Sequence, residues 1–417
     1  MLSTTLLLIA AIVGFGWANS RFTDSYYALW SIPITINIGS FEISESLVNW
    51  INDALMVFFF FIIGLEIKRE LLEGQLSSIQ KAALPAIAAM GGMIVPAVIY
   101  LAINYGGTGS NGWGIPIATD IAFSLGCLLV LGPLIPVSLR VFLLALAIVD
   151  DIGAVLVIAL FYTEQINLNS LVIGLVIFLI AIYLNIKGVR KIYPYALLGV
   201  ALWAAFFLSG IHATIAGVLL AFTIPSTAQH DPKYSNEGEN GFFEKDFGSI
   251  IGDEAQRSLI QQLKSPLNNL DSPLHSLEDA LYPLVYYFIV PVFALANAGV
   301  NIAQGSEGSS IINPVTIGIF AGLFLGKQLG ILLFAWLTVR LGLAQLPDQV
   351  NWSQVWAVAC LAGIGFTMSL FITNLAFVDP ILLYQAKIGI IIGSIISAVA
   401  GIAIVKFASP NKTTLIK

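Results

Sequence analysis

Two aspartates, Asp150 and Asp151, stand side by side inside the apolar run FLLALAIVDDIGAVLVIALF (142–161). A lysine, Lys327, interrupts a second such run, IGIFAGLFLGKQLGILLFAW (317–336). Asp120 lies in WGIPIATDIAFSLG (113–126), and Asp53 opens NDALMVFFFFIIGLEIKREL (52–71). A charge in such surroundings costs several kcal/mol, so it marks an ion path, a proton relay or a buried ion pair. On a helix, neighbouring residues point about 100° apart. Asp150 and Asp151 therefore cannot share a face, but both can flank one cavity. Two carboxylates that close repel when both are ionised, and burial adds to the cost of charge. Either can trade a metal cation for a proton, which is the chemical requirement of proton-coupled cation exchange. Lys327 could neutralise one of the pair. The plain alternative is an ion-pair cluster that only holds helices together. Three acids and a lysine near one depth argue against it, because a buried ion pair contributes little as packing alone.

These groups need elements that hold them. The chain has 417 residues, 58% of them hydrophobic and 10% charged. Soluble proteins carry roughly 25% charged residues, and a water-soluble chain this apolar would expose large sticky patches. In a bilayer every backbone polar group must be paired internally, which leaves helices or a closed barrel. The apolar runs have the length of membrane helices, about 17–25 residues, not the roughly 9–11 of barrel strands. The expected fold is an all-α membrane protein, a single polytopic domain of twelve spans near 2–18, 47–65, 82–104, 113–131, 139–161, 168–184, 195–208, 210–224, 280–301, 314–339, 353–376 and 382–407. The first run is read as a retained helix, with no clear cleavage site behind it. Fifteen of the eighteen Lys and Arg residues fall on one side of this arrangement. The exceptions are Arg21, Lys327 and Lys387. Positive charge gathers on the cytoplasmic side, so both termini are expected there.

The fourth span carries Gly114 and Pro116, which has no N–H to donate. A break before Thr119 would free carbonyls and bring helix ends near Asp120. The eleventh span carries Gly363 and Gly365 in CLAGIGFTMSL (360–370) and could be interrupted in the same way. Broken helices form ion sites at mid-membrane in transporters. The matched positions suggest that spans 3–5 and 10–12 are inverted repeats. Gly and Pro are also simply frequent in membrane helices. At the end of the second span, Glu66, Arg69 and Glu70 have the spacing of a local charge network; an ordinary solvated helix end is the other reading. Residues 32–44 alternate β-branched residues around Gly39, the pattern of a small external β-hairpin, or else of an irregular loop. Residues 225–279 are polar and acidic, as in a cytoplasmic linker. His230 and His275 in that stretch read as solvated loop residues. Cys127 and Cys360 lie in apolar runs and read as small buried thiols. The net charge of −6 says little, because the charges are segregated by position, and nothing in the sequence resembles a basic surface for nucleic acid.

With these motifs in order along most of its length, the chain resembles the NhaA family of sodium/proton antiporters. The matching stretches are NDALMVFFFFIIGLEIKREL (52–71), IPIATDIAFSLG (115–126), FLLALAIVDDIGAVLVIALFYT (142–163), GIHATIAGV (210–218), PVFALANAGV (291–300), GKQLGI (326–331) and GIGFTMSLFI (363–372). The resemblance implies twelve helices, with the fourth and eleventh unwound and crossing at mid-membrane. It implies that Asp151 is a sodium ligand and proton carrier with Asp150 beside it, so that these two hold the transported metal ion. Thr119 and Asp120 would border the site and offset the dipole ends of the broken helices. Lys327 would pair with Asp150 or balance those dipoles. Glu66, Arg69, Glu70 and Glu278 would form a pH-responsive cytoplasmic mouth. Asp53 and His212 also match the family, in structural or regulatory roles. The resemblance further implies electrogenic exchange across the cell inner membrane, lithium as a second substrate, and a homodimer built on an external hairpin. The 225–279 stretch is longer than the family's usual loop.

Sodium is a hard cation and prefers oxygen ligands. Asp151, helped by Asp150, Thr119 and freed carbonyls, would replace part of its water shell while protons compete for the same carboxylates. A cation channel would also use intramembrane acids, without obligatory proton coupling. An intramembrane aspartyl protease would need two facing aspartates, and the best pair here is adjacent on one helix. A scaffold leaves the charge cluster unexplained. No cofactor, nucleotide loop or catalytic nucleophile is evident in the sequence, so a secondary transporter and not an enzyme is expected. His212 reads as a hydrogen-bonded packing residue.

Overall fold

The structure, a computed structural model, describes residues 2–38, 41–132, 135–163, 166–226, 272–302 and 312–408. Among these the architecture is helical. Nine helices are long and apolar enough to cross a membrane, and eleven spans result if two bent pairs each count as one. The first pair is α1 (Leu2–Ala18) with α2 (Thr23–Trp30), bent by 117°. Two strands come next, β1 (Pro33–Ile38) and β2 (Phe41–Ser46), paired antiparallel from Pro33↔Ser46 to Ile38↔Phe41. They lead into α3 (Leu47–Leu72) and α4 (Ile79–Ile103). Next come a 3-10 helix (Ser110–Ile117), α5 (Ile121–Leu131), α6 (Val137–Phe161), α7 (Leu168–Ile186), α8 (Ile192–Ser209) and the shorter α9 (Thr214–Thr223). The remainder comprises α10 (Pro273–Asn297), α11 (Pro314–Arg340), α12 (Trp352–Ala362), α13 (Phe366–Ala376) and α14 (Pro380–Ala408).

Several boundaries differ from the sequence reading. Helix α10 starts at Pro273, not near 280. The Ser272 hydroxyl caps it by accepting the His275 N–H, and a proline needs no partner for its missing N–H at that first position. Residues 273–279 of the expected linker are thus helical, and 227–271 lie outside the described residues. His275 is on that helix, with Nδ1 2.8 Å from the Ser272 hydroxyl, not in a loop. Helix α3 runs seven residues past the expected end at 65, which keeps Glu66, Arg69 and Glu70 helical.

Among the described residues, three helices contain a single wide π turn, at Ile51–Leu55 in α3, Val285–Ile289 in α10 and Gly322–Gly326 in α11. Such bulges shift the facing of every later side chain and gather at functional positions. The third one ends directly before Lys327.

Glycine lets two spans touch. A Cβ on Gly330 of α11 would sit 2.1 Å from the Gly91 carbonyl oxygen of α4. Only bare backbones can approach that closely, as in other membrane helix pairs. Lys327, three residues before Gly330 on α11, is fully buried.

Candidate ion-binding site

The two interruptions meet. Between the 3-10 helix and α5, residues 118–120 leave the helical conformation, with Ala118 and Asp120 extended. Between α12 and α13, the helix is interrupted at residues 363–365 by a bend of 43°, with Gly363 and Gly365 still in the right-handed helical region. The Asp120 N–H donates to the Ile364 carbonyl at 2.7 Å. The Ser124 hydroxyl donates to the Leu361 carbonyl at 2.8 Å. Gly363 is set by its neighbours, since a Cβ there would lie 2.4 Å from the Leu323 carbonyl oxygen.

Asp120 ties both new helix starts. Its Oδ1 accepts the Phe123 N–H at 2.9 Å and so caps α5. Its Oδ2 accepts the Thr367 N–H at 3.0 Å and the Thr367 hydroxyl at 2.5 Å at the start of α13. Helix N-termini carry unpaired N–H groups and partial positive charge, which a carboxylate satisfies. Both oxygens of this buried acid are therefore occupied. The sequence reading missed Thr367, although it stands within GIGFTMSLFI directly after the expected break.

Asp150 is engaged on one oxygen. Its Oδ2 accepts from Lys327 Nζ at 2.6 Å and lies 2.7 Å from the Thr119 hydroxyl. Lys327 Nζ also donates to Thr119 Oγ1 at 2.9 Å. The Thr119 hydroxyl is 2.9 Å from the Ala362 carbonyl oxygen at the end of α12, and has one proton to give. An ammonium, a hydroxyl, a carboxylate and a helix C-terminus thus converge, and all three side chains are fully buried.

Asp151 is different. Both of its carboxylate oxygens are buried without a hydrogen-bond partner among the described residues, as is Asp150 Oδ1. Buried polar atoms are almost always satisfied, so three bare carboxylate oxygens at adjacent positions call for a reason. Protons or a cation with oxygen affinity supply one.

The charged end of α3 is not a solvated helix end. Glu66 is buried, and so is Glu278 on α10. Arg69 bonds Glu278 across the two helices and lies 3.9 Å from Glu70 on its own. Glu70 Oε2 accepts the Gln75 N–H at 2.8 Å. The local network expected from spacing is thus joined by a bond between spans, with Arg69 beside Glu70 on its own helix and bonded to Glu278 on α10. Tyr286, in the π turn of α10, sits beside the Glu66 carboxylate. That residue too was missed, because neither its type nor its spacing distinguishes it from packing.

Asp53 and His212 lie apart from the core of the site. The Asp53 carbonyl accepts the Trp203 indole N–H at 2.8 Å. His212 packs edge-on to Phe371 with ring centroids 6.0 Å apart. Its Nδ1 has no hydrogen-bond partner among the described residues.

Residues 1–405 match the family model described as Na+/H+ antiporter 1. The chain belongs to the NhaA family of sodium/proton antiporters. It is 45% identical to the Na(+)/H(+) antiporter NhaA of Oleidesulfovibrio alaskensis over 96% of this chain and 90% of that one. It is 48% identical to that of Koribacter versatilis over 96% and 88%. For Sulfurimonas denitrificans the figures are 44% identity over 97% and 93%. The NhaA family is one of secondary transporters and not of enzymes.

Proposed function

We propose that the protein is an electrogenic antiporter of the cell inner membrane that exports sodium, and also lithium, in exchange for protons. The observation that carries this reading is the set of three unpartnered buried oxygens on Asp150 and Asp151. Asp151 binds the cation or a proton with both oxygens, and Asp150 contributes Oδ1. Lys327 and Thr119 hold the opposite oxygen of Asp150 and so fix its orientation. Lys327 also balances the converging carbonyl end of α12, while Asp120 balances the two N–H ends.

With the site open to one side, protons displace sodium; with it open to the other, sodium displaces protons. Access alternates as one bundle moves against the other. We assign α4–α6 and α11–α14, with the 3-10 helix, to one bundle as a pair of inverted repeats with crossing interrupted spans. The remaining helices form the other bundle, and α9 counts as a span to give twelve. Both termini face the cytoplasm by the distribution of Lys and Arg. The Glu66 end of α3 then opens inward, where Glu66, Arg69, Glu70 and Glu278 adjust activity to pH. The strands β1 and β2 lie outside and offer an edge to a second copy of the chain.

Purified protein in liposomes with an internal pH dye tests this. Sodium or lithium added under an imposed pH gradient collapses that gradient, and Asp151→Asn does not. Sodium flux without proton movement would establish a cation channel instead.

A further inference from the structure

At the end of α3 opposite Glu66, asparagine amides join three spans. Asn297, at the end of α10, is almost fully buried. Its Nδ2 donates to Asn52 Oδ1 of α3 at 3.0 Å and to the Phe293 carbonyl at 3.0 Å. Its Oδ1 accepts from Asn374 Nδ2 of α13 at 2.7 Å. Three spans are thus joined through one side chain whose own hydrogen-bonding groups are all used.

Asn52 owes its place to the π turn at Ile51–Leu55, six residues after the end of β2. Asn374 lies seven residues beyond Thr367 on the same straight half-helix, or about 10 Å along it. Thr367 holds Asp120. One end of α13 therefore grips the junction beside the candidate ion site, and the other end is tied to Asn297. Any motion of the junction against α10 must stretch that tie.

We propose that the asparagine triad closes the ion path on the strand side. The Asn297–Asn374 bond is the contact that must break for that side to open. This rests on the alternating-access reading above, in which α13 belongs to one bundle and α3 and α10 to the other. The Asn52–Asn297 bond lies within a bundle and stays intact through the cycle. Neutral amides suit this task. Hydrogen bonds between spans are individually weak in a membrane, so the tie can break and re-form in each cycle, and it presents no charge to a passing cation.

The test uses paired cysteines in a chain carrying Cys127→Ala and Cys360→Ala. A short, reducible bis-methanethiosulfonate linker joins Asn297→Cys to Asn374→Cys, and in a second chain Asn52→Cys to Asn297→Cys. Sodium-dependent proton flux is read in liposomes before cross-linking, after it, and after reduction. The 297–374 linkage is expected to lower flux at least tenfold, with recovery on reduction, while the 52–297 linkage leaves it near its starting value. Undiminished flux through the 297–374 linkage overturns the proposal. Absence of flux in the wild-type chain would overturn the antiport reading instead.

A second arm does not depend on transport. Asn374→Ala is combined with Ser369→Cys, a buried position five residues nearer the junction. A membrane-impermeant thiol reagent added from the strand side should label that cysteine several-fold faster than in the chain that keeps Asn374. Equal labelling rates also overturn the proposal.

Discussion

Asp120 and Asp151 are both buried acids at the centre of the molecule, yet their surroundings are opposite. At the junction of the interrupted spans, Asp120 accepts three hydrogen bonds from groups of two helices. On α6, Asp151 accepts none from the described residues. The difference separates two uses of buried charge. A carboxylate with every oxygen engaged is a fastener, because its charge answers fixed helix ends. A carboxylate with bare oxygens can serve an exchangeable cation. Asp150 stands between these extremes, with one oxygen fixed by Lys327 and Thr119 and the other bare.

Substitutions can break this contrast, and the largest effect is expected at the bare acid. Asp151→Asn should abolish sodium-dependent proton flux while leaving thermal unfolding in detergent close to that of the wild type, since no internal bond is lost. Substantial flux in that variant would remove Asp151 from the site. Lys327→Ala comes next. It strips the ammonium from Asp150 and should cost about 3–5 kcal/mol of stability, the usual effect of orphaning one partner of a buried pair. Unfolding midpoints compared with Asp150→Asn/Lys327→Met, which removes both charges, should show the double variant recovering much of the loss. If the two chains unfold alike, the ion pair is not what the ammonium supports.

Smaller effects belong to the fastener. Asp120→Asn keeps one acceptor but turns the other into a donor facing the Thr367 N–H. A loss of about 1–3 kcal/mol is expected, together with reduced but measurable flux. Flux as low as in Asp151→Asn would mean that Asp120 itself carries the cation. Thr367→Val removes only the hydroxyl bond and should cost about 1–2 kcal/mol, near the low end for bonds to charged groups. Unchanged stability there would show that the backbone N–H alone holds Asp120.

Part of this contrast was readable in the chain. Charge inside an apolar run is conspicuous at any position, so Asp120, Asp150, Asp151 and Lys327 stood out together. Gly363, Gly365 and Pro116 pointed to interruptions for a local reason, weak helix propensity. The partners did not stand out. Thr367, Tyr286 and the three asparagines are ordinary residues for a membrane helix, and they matter only through the groups that face them. The π turns were also invisible, since they insert no distinctive residue and yet rotate every later side chain of the helix. Spacing at Glu66, Arg69 and Glu70 pointed to contacts along one helix, and it could not show that the arginine also reaches Glu278, a separation of 209 residues.

The amino-acid sequence by itself determined that this chain is a helical membrane protein with acids and a lysine buried in its spans. Burial of apolar surface and internal pairing of the backbone are dictated by composition and run length alone. It also determined the NhaA family, because the motifs recur in order over most of the chain. Only the tertiary structure decided which carboxylate is fastened and which is bare. A hydrogen bond between spans depends on the relative height and rotation of two helices. Those are set by glycine contacts, π turns and the meeting of the two interruptions, and no single stretch of sequence contains them.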